Sequence, residues 1–345
     1  MSDDGSPAAV ASDAGDLRRP AEACWTLSDG RAGNLRQAHA LAAAMGFADA
    51  RDVILAPRAP WRWVAPRAWP GSARAFGSDF HRLAFHRLAA PPPRLAIGCG
   101  RQAALATRRL RERGTRVVQV LDPRLKTDAW DVVVAPEHDG LAGDNVVTLI
   151  GSLHPVDDLW LAQARSDFSI LAPLAQPRTA LLLGGPSEHV ATYDDDALAQ
   201  DLRRMCDRLR EEGGSLLATT SRRTPAAWAQ ALRAQCTDIP GLRWFAPTTA
   251  GGDDSDNPYP GLLAWADRIV CTADSVNMLS EASATRVPVH VLGSDRVRGK
   301  LQRFHAALQE RGRVHAFDDA LAPFAVEPLR ETARVAAEVR ARLGL

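Results

Sequence analysis

Short apolar runs that end in glycine or polar residues, and then give way to segments of helical period, recur in two blocks along this chain. In the first half such runs lie at 23–28, 53–55, 94–98, 116–121, 131–134 and 145–150, with helical spacing over 35–45 and 101–113. In the second they lie at 178–185, 215–220, 269–271 and 289–292, with helices expected over 195–211 and from 276 onward. Runs that are apolar at successive positions suit strands covered on both faces, and strands alternating with helices pair in parallel. The pattern therefore predicts an α/β chain of two doubly wound domains facing across a cleft. At 345 residues the chain is long enough to give each domain its own core. The expected divisions are a disordered tail over 1–20, a first domain over 21–155 and a linker over 156–177. A second domain over 178–325 follows, then an amphipathic helix over 326–345 packing back across both.

In open sheets of this kind ligands sit at the carboxyl ends of the strands, so functional residues are sought there. In the second half, Gly184 and Gly185 end one run. Ser221, Arg222 and Arg223 end the next, just before Thr224 and Pro225 start a helix. Two guanidinium groups beside hydroxyls make a pyrophosphate clamp. In 268–292, Asp274 and Ser275 stand where an N-cap belongs, and Val276, Met278, Leu279, Ala282 and Ala284 follow at helical spacing. Such a helix start offers free N–H groups and a positive dipole end to a phosphate. Glu281, about two turns on, is placed to accept ribose hydroxyls. An ordinary buried strand–helix–strand unit would show the same spacing.

In the first half the turn Asp29, Gly30, Arg31, Ala32, Gly33, Asn34 carries more polar equipment than a turn requires. It lacks the spacing of a dinucleotide fingerprint, and the chain has no phosphate loop of the GxxxxGK[ST] type. Asp29 is the candidate general base, with His138 and Asp139 in reserve. Lone histidines such as His138 and His154 are commonly hydrogen-bonded structural residues. Over 57–76, prolines alternate with Trp61, Trp63 and Trp69 and with Arg58, Arg62, Arg67 and Arg74. From 53 to 111 the only acidic residue is Asp79, against eleven arginines. Trp61, Arg62 and Trp63 would suit an anionic lipid headgroup layer; a proline-rich loop whose tryptophans pack onto the domain is the alternative.

The segment CTADSVNMLSEASATRVPV resembles the donor-nucleotide block of GT-B glycosyltransferases. With SDGRAGNLRQA at 28–38, VQVLDPR at 118–124, PEHD at 136–139, LLGG at 182–185, TSRRTP at 220–225 and NPY at 257–259, the chain is most similar to the elongated-mitochondria (mitochondrial fission) family. Bacterial members of that family are described as candidate glycosyltransferases. Arg286 stands where the family usually has Gly. The resemblance implies two Rossmann-like domains in a GT-B arrangement. It implies a nucleotide-sugar in the second, with Gly184 and Gly185 near the nucleotide. Ser221, Arg222, Arg223, Asp274 and Ser275 would hold the diphosphate, Glu281 the ribose, and Met278 would lie near the sugar or base. Gly30, Arg31, Gly33, Asn34, His138 and Asp139 would face the acceptor, a membrane-associated or cell-envelope glycan or lipid. No cofactor beyond the nucleotide-sugar substrate is expected, and no metal.

Two other readings stay open. Plant members of the family are implicated in recruiting fission machinery to the mitochondrial surface, which suggests a non-enzymatic membrane adaptor. A GT-B-shaped nucleotide-sugar epimerase is the other; the short-chain dehydrogenase form is disfavoured, since neither Tyr193 nor Tyr259 is followed four residues on by Lys. A net charge of +1 implies no general attraction to nucleic acid. The five cysteines form no CxxC or Cys/His metal spacing and suit a reducing compartment. Residues 1–20 have neither a signal-peptide core nor a membrane-spanning run. A cytoplasmic protein, peripheral at the inner face of the membrane, is the expectation. The acidic run over 251–256 lacks EF-hand spacing and reads as a solvated loop.

Overall fold

The computed structural model describes residues 24–76, 92–190, 195–246 and 257–345. The expected tail over 1–20, the acidic loop over 251–256 and residues 77–91 of the arginine-rich stretch lie outside the described residues. The first sheet comprises β1 (Cys24–Ser28), β2 (Arg51–Ile54), β3 (Leu95–Cys99), β4 (Arg116–Val120), β5 (Val132–Pro136) and β6 (Val146–Leu149). Their order is β2-β1-β3-β4-β5-β6, and every pair is parallel. Helices α1 (Ala32–Ala44), α2 (Trp61–Val64) and α3 (Arg101–Arg111) belong to this half.

The second sheet comprises β7 (Arg178–Leu183), β8 (Ser215–Thr220), β9 (Gly241–Trp244), β10 (Arg268–Thr272), β11 (Val289–Leu292) and β12 (His315–Ala316). Its order is β12-β11-β10-β7-β8-β9, again parallel throughout. Around it lie α4 (Asp158–Asp167), α5 (Asp195–Glu212), α6 (Ala226–Gln235), α7 (Tyr259–Trp265), α8 (Val276–Ser283) and α9 (Gly299–Glu310), before α10 (Thr332–Leu343). The architecture is thus the α/β class read from the alternation of runs and helices. Strands β1, β3, β5, β7, β8 and β10 are buried at every position, which is why they are apolar without alternation. Strands β9 and β12 have no counterpart in the sequence reading: they are sheet edges, short and partly exposed, so burial does not impose a pattern on them.

Each sheet changes winding direction once, between β1 and β3 and between β7 and β10, and a crevice opens at such a switch point. The segment read as a linker is packed. Ile150, Val156 and Leu171 join the core of the second sheet, and α4 lies against α7. Gly261 permits that contact, because a Cβ there would sit 2.5 Å from Phe168 Cγ. Val156 and Leu171, within 156–177, thus pack with the second sheet, as does Ile150 just before that segment. Helix α10 returns to the first domain, where Val335, Ala336, Val339 and Leu343 share a core with Leu41, Met45, Val134 and Val147. Arg340 donates to the Met45 carbonyl and Thr332 Oγ1 to His154 O at 2.8 Å.

Candidate functional site

The two crevices face each other, and the N-termini of α1 and α8 meet between them. A Cβ at Gly33 would lie 2.3 Å from Asn277 Nδ2, so glycine lets the helix ends approach this closely. Arg31 and Asn277 line the space on both sides of this contact and divide it into two hollows. One, of about 660 Å³, lies on the second domain and brings together Ser221, Arg222, Arg223, Tyr259, Ser275 and Met278, closed by Arg31, Gly33 and Arg36 from the first. The other, of about 610 Å³, gathers Asp29, Asn34, Gly100, Arg101, Arg124, His138 and Asp139, with Asp274 and Lys300 from across the cleft.

In the first of these, Ser275 is the N-cap of α8, its hydroxyl accepting from Met278 N at 3.3 Å. Helix α8 has no acidic residue in its first turn, and the amides of Val276 and Asn277 have no intrahelical acceptor. Ser221 Oγ accepts from Arg223 N at 3.2 Å, and Thr224 Oγ1 ties the turn to Gly184 O at 2.6 Å. Arg222, Arg223, Ser221, Ser275 and Met278, five of the donor-side residues inferred from sequence, therefore share one cationic, amide-edged hollow. It opens towards the glycine turn of the first domain.

Four donor-side residues stand differently. Asp274 is turned to the chain's own groups: its side chain is 5% exposed and accepts from Arg223 Nη2 at 2.6 Å and from Gly185 N at 3.1 Å. A carboxylate cannot attract phosphate, and here it orients the guanidinium that can. Gly184 and Gly185 are outside the larger hollow. Their amides are taken by Thr272 Oγ1 and Asp274, and Cβ atoms there would lie 2.1 Å from Asp274 Oδ1 and 2.3 Å from the Arg223 carbonyl oxygen. The glycine pair is thus explained by the approach of the chain's own groups. Glu281 is 3% exposed, and both its oxygens are occupied: Arg36 Nη1 donates to one at 2.8 Å and Tyr259 Oη to the other at 2.5 Å. In this state it joins the domains and presents no free face to a ribose. Burial and the adjacent Glu281 carboxylate hold the Tyr259 hydroxyl well above its usual range.

On the first domain, Gly30 takes the left-handed conformation (φ 75°) that the turn after β1 needs. Asp29 Oδ1 accepts from Asn34 Nδ2 at 2.9 Å and Arg31 N at 3.2 Å, with Arg31 Nε 3.4 Å from its other oxygen. Asp139 is paired with Lys300 Nζ at 3.0 Å. His138 is 7% exposed; Arg303 binds its backbone carbonyl, and its ring nitrogens make no hydrogen bond among the described residues. Burial lowers its pKa, with Lys300 and Arg303 acting the same way against Asp139. Arg36, Asn277, Lys300, Arg101 and Arg124 also line the cleft, with no role expected of them from sequence. Arg36 lies inside the SDGRAGNLRQA block and Arg124 ends VQVLDPR, so both were within conspicuous segments. Asn277 and Lys300 matter only once the domains are closed on each other.

Trp61 is half-buried beneath Gly71, where a Cβ would lie 3.2 Å from its ring. It packs onto the domain; Trp63 and Trp69 are the exposed pair (63% and 52%), with the Arg62 guanidinium over the Trp63 ring at 5.0 Å. All five cysteines are buried and unpaired, and burial pushes Cys24 and Cys206 up to about 12, away from nucleophilic chemistry. Among the described residues no three His, Cys, Asp or Glu side chains gather as metal ligands do, and no helix is long and apolar enough to cross a membrane.

Two Rossmann-like domains with switch-point crevices opposed across a cleft define the GT-B architecture. A UDP-GlcNAc 2-epimerase from Methanocaldococcus jannaschii shares this fold, with a TM-score of 0.56 at 12% identity over 93% of this chain and 99% of that one. The chain belongs to the mitochondrial fission ELM1 family, whose model matches residues 32–343. It is 31% identical to the mitochondrial fission protein ELM1 of Arabidopsis thaliana over 281 residues, 73% of this chain. That match spans 64% of the plant protein's length. An uncharacterized protein of Rickettsia prowazekii is 22% identical over 283 residues, 71% of this chain and 78% of its own.

Proposed function

We propose that this protein is a glycosyltransferase that moves a sugar from a nucleotide-sugar to a membrane-associated or cell-envelope glycan or lipid. The observation that carries the reading is the hollow in which Arg222, Arg223, Ser275 and the start of α8 converge opposite Arg31 and Gly33. Two cations and a set of unpaired amides stabilise a departing diphosphate without a metal ion. Met278 and Tyr259 give the hollow apolar surface for the base or sugar. Glu281 takes up ribose hydroxyls only when Arg36 swings away from it. The acceptor lies in the second hollow. There Asp29 is the candidate general base, with His138 and Asp139 in reserve; burial favours the neutral form of His138.

A thermal-shift screen of UDP-, GDP-, ADP-, CMP- and TDP-sugars tests this, with Arg222→Ala as control. A stabilisation by one nucleotide family that the variant loses supports the transferase. Incubating the responding donor alone distinguishes an epimerase, which would change the sugar without an acceptor. The exposed Trp63 and Trp69 among arginines favour a second reading, a membrane-surface adaptor. Vesicle binding that needs Trp63, with no response to any nucleotide-sugar, would select it.

A further inference from the structure

The hollow on the first domain holds a polar arrangement that base catalysis does not use. Helices α1 and α3 both start there, side by side: Asn34 sits over Gly100, where a Cβ would lie 2.8 Å from its Nδ2. Neither helix has a side-chain cap or an acidic residue in its first turn. The amides of Arg101, Gln102 and Ala103 therefore have no intrahelical acceptor. Gln37 lines the same space, 95% buried by its 5% exposure, and its amide makes no hydrogen bond among the described residues. Its amide is thus left facing the hollow, where a ligand's oxygen can take its hydrogens.

Charge gives the ligand its sign. Four carboxylates line the hollow, and three are paired with cations: Asp29 with Arg31, Asp139 with Lys300 and Asp274 with Arg223; the fourth, Asp122, accepts the Arg124 amide at 2.7 Å. The guanidinium groups of Arg101 and Arg124 have no partner among the described residues. Arg124 reaches this position through a turn in which Leu121 and Arg124 take left-handed backbone (φ 71° and 56°), unusual for side chains of this size.

We propose that this hollow binds a phosphomonoester on the acceptor, between the start of α3 and the guanidinium groups of Arg101 and Arg124, with Gln37 completing its hydrogen bonds. The proposal rests on the transferase reading for the word acceptor, but the anion site itself is tested without any nucleotide. Calorimetric titration of sn-glycerol 3-phosphate into the full chain should give saturable binding that weakens about tenfold or more in an Arg101→Gln, Arg124→Gln double variant. The same variant should keep its nucleotide-induced thermal shift, and Arg222→Gln should leave glycerol phosphate binding intact. Gln37→Leu, which removes no bond in the folded protein, should weaken binding by about threefold. Sedimentation with phosphatidylcholine vesicles, with and without phosphatidic acid, separates the sources. Capture that needs both phosphatidic acid and the two arginines assigns a lipid-borne ester, and glycerol phosphate binding without capture assigns a soluble one. No binding of either probe, or binding lost in Arg222→Gln and unchanged in the double variant, overturns the proposal, while the nucleotide screen stands or falls separately.

Discussion

Replacing Arg36 by Met removes the cation that joins the domains at Glu281 while keeping an apolar stem in place. Two unit charges about 4 Å apart attract by about 1 kcal/mol in water and about 4 kcal/mol at an effective dielectric of about 20. The pair is asymmetric: Arg36 is 40% exposed and Glu281 3% exposed, so solvent screens one end only. The variant leaves a sealed carboxylate with Tyr259 as its remaining donor. We expect a loss of about 2 kcal/mol, between the cost of a surface pair and that of a fully buried one. Glu281→Gln alone should lose about 1 kcal/mol, since an amide still accepts from Tyr259. The double variant should be less destabilised than the sum by about 1 kcal/mol, because neutralising Glu281 removes the reason Arg36 was needed. Urea unfolding of the four proteins at unchanged m-value reads these differences directly. A coupling below about 0.5 kcal/mol would show that the contact is an ordinary surface ion pair, and the account of Glu281 as an interdomain tie would be refuted.

Arg313 is fully buried and donates to the carbonyls of Ala282, Ser283, Thr285 and Val287, closing the C-terminal end of α8. Arg313→Ala should lower stability by about 3 kcal/mol or more, with little rescue by Lys, whose single ammonium cannot reproduce the fork; chemical denaturation checks both. His290 is buried with neither ring nitrogen bonded among the described residues, and burial lowers its pKa to about 4. Its contribution is whole above the unfolded value of about 6.5 and is lost as pH falls through about 4, so His290→Leu should flatten the acid limb of a melting-temperature profile. Gly185→Ala forces a methyl group onto the Arg223 backbone carbonyl, and should cost about 1–3 kcal/mol in the same denaturation assay and weaken nucleotide binding.

The strands with no exposed face were legible because burial favours apolar residues at successive positions, as across β5 and over Leu216–Ala218 in the middle of β8. The capping serine of α8 was legible for a local reason too: a hydroxyl just before a helix has few other uses. Individual roles in the cleft were not. Asp274 and Ser275 are neighbours in sequence, yet one orients Arg223, 51 positions away, and the other caps a helix. Glu281 read as a ligand group because a carboxylate on a helix near a phosphate site looks available. Only the approach of Arg36, from another domain, shows that it is taken. The tryptophans were read by composition, and which of them faces solvent depends on the ring of Trp61 covering Gly71.

Because Val335, Ala336, Val339 and Leu343 complete a core begun by β1 and α1, the first domain cannot be finished on the ribosome when its own strands have been made. Nearly two hundred further residues must be translated first, about 10–40 s at ordinary elongation rates. Throughout that interval an apolar strip beside α1 stands open to water. The amino-terminal half synthesised by itself would keep that strip for good, and would aggregate unless the missing peptide were supplied in trans.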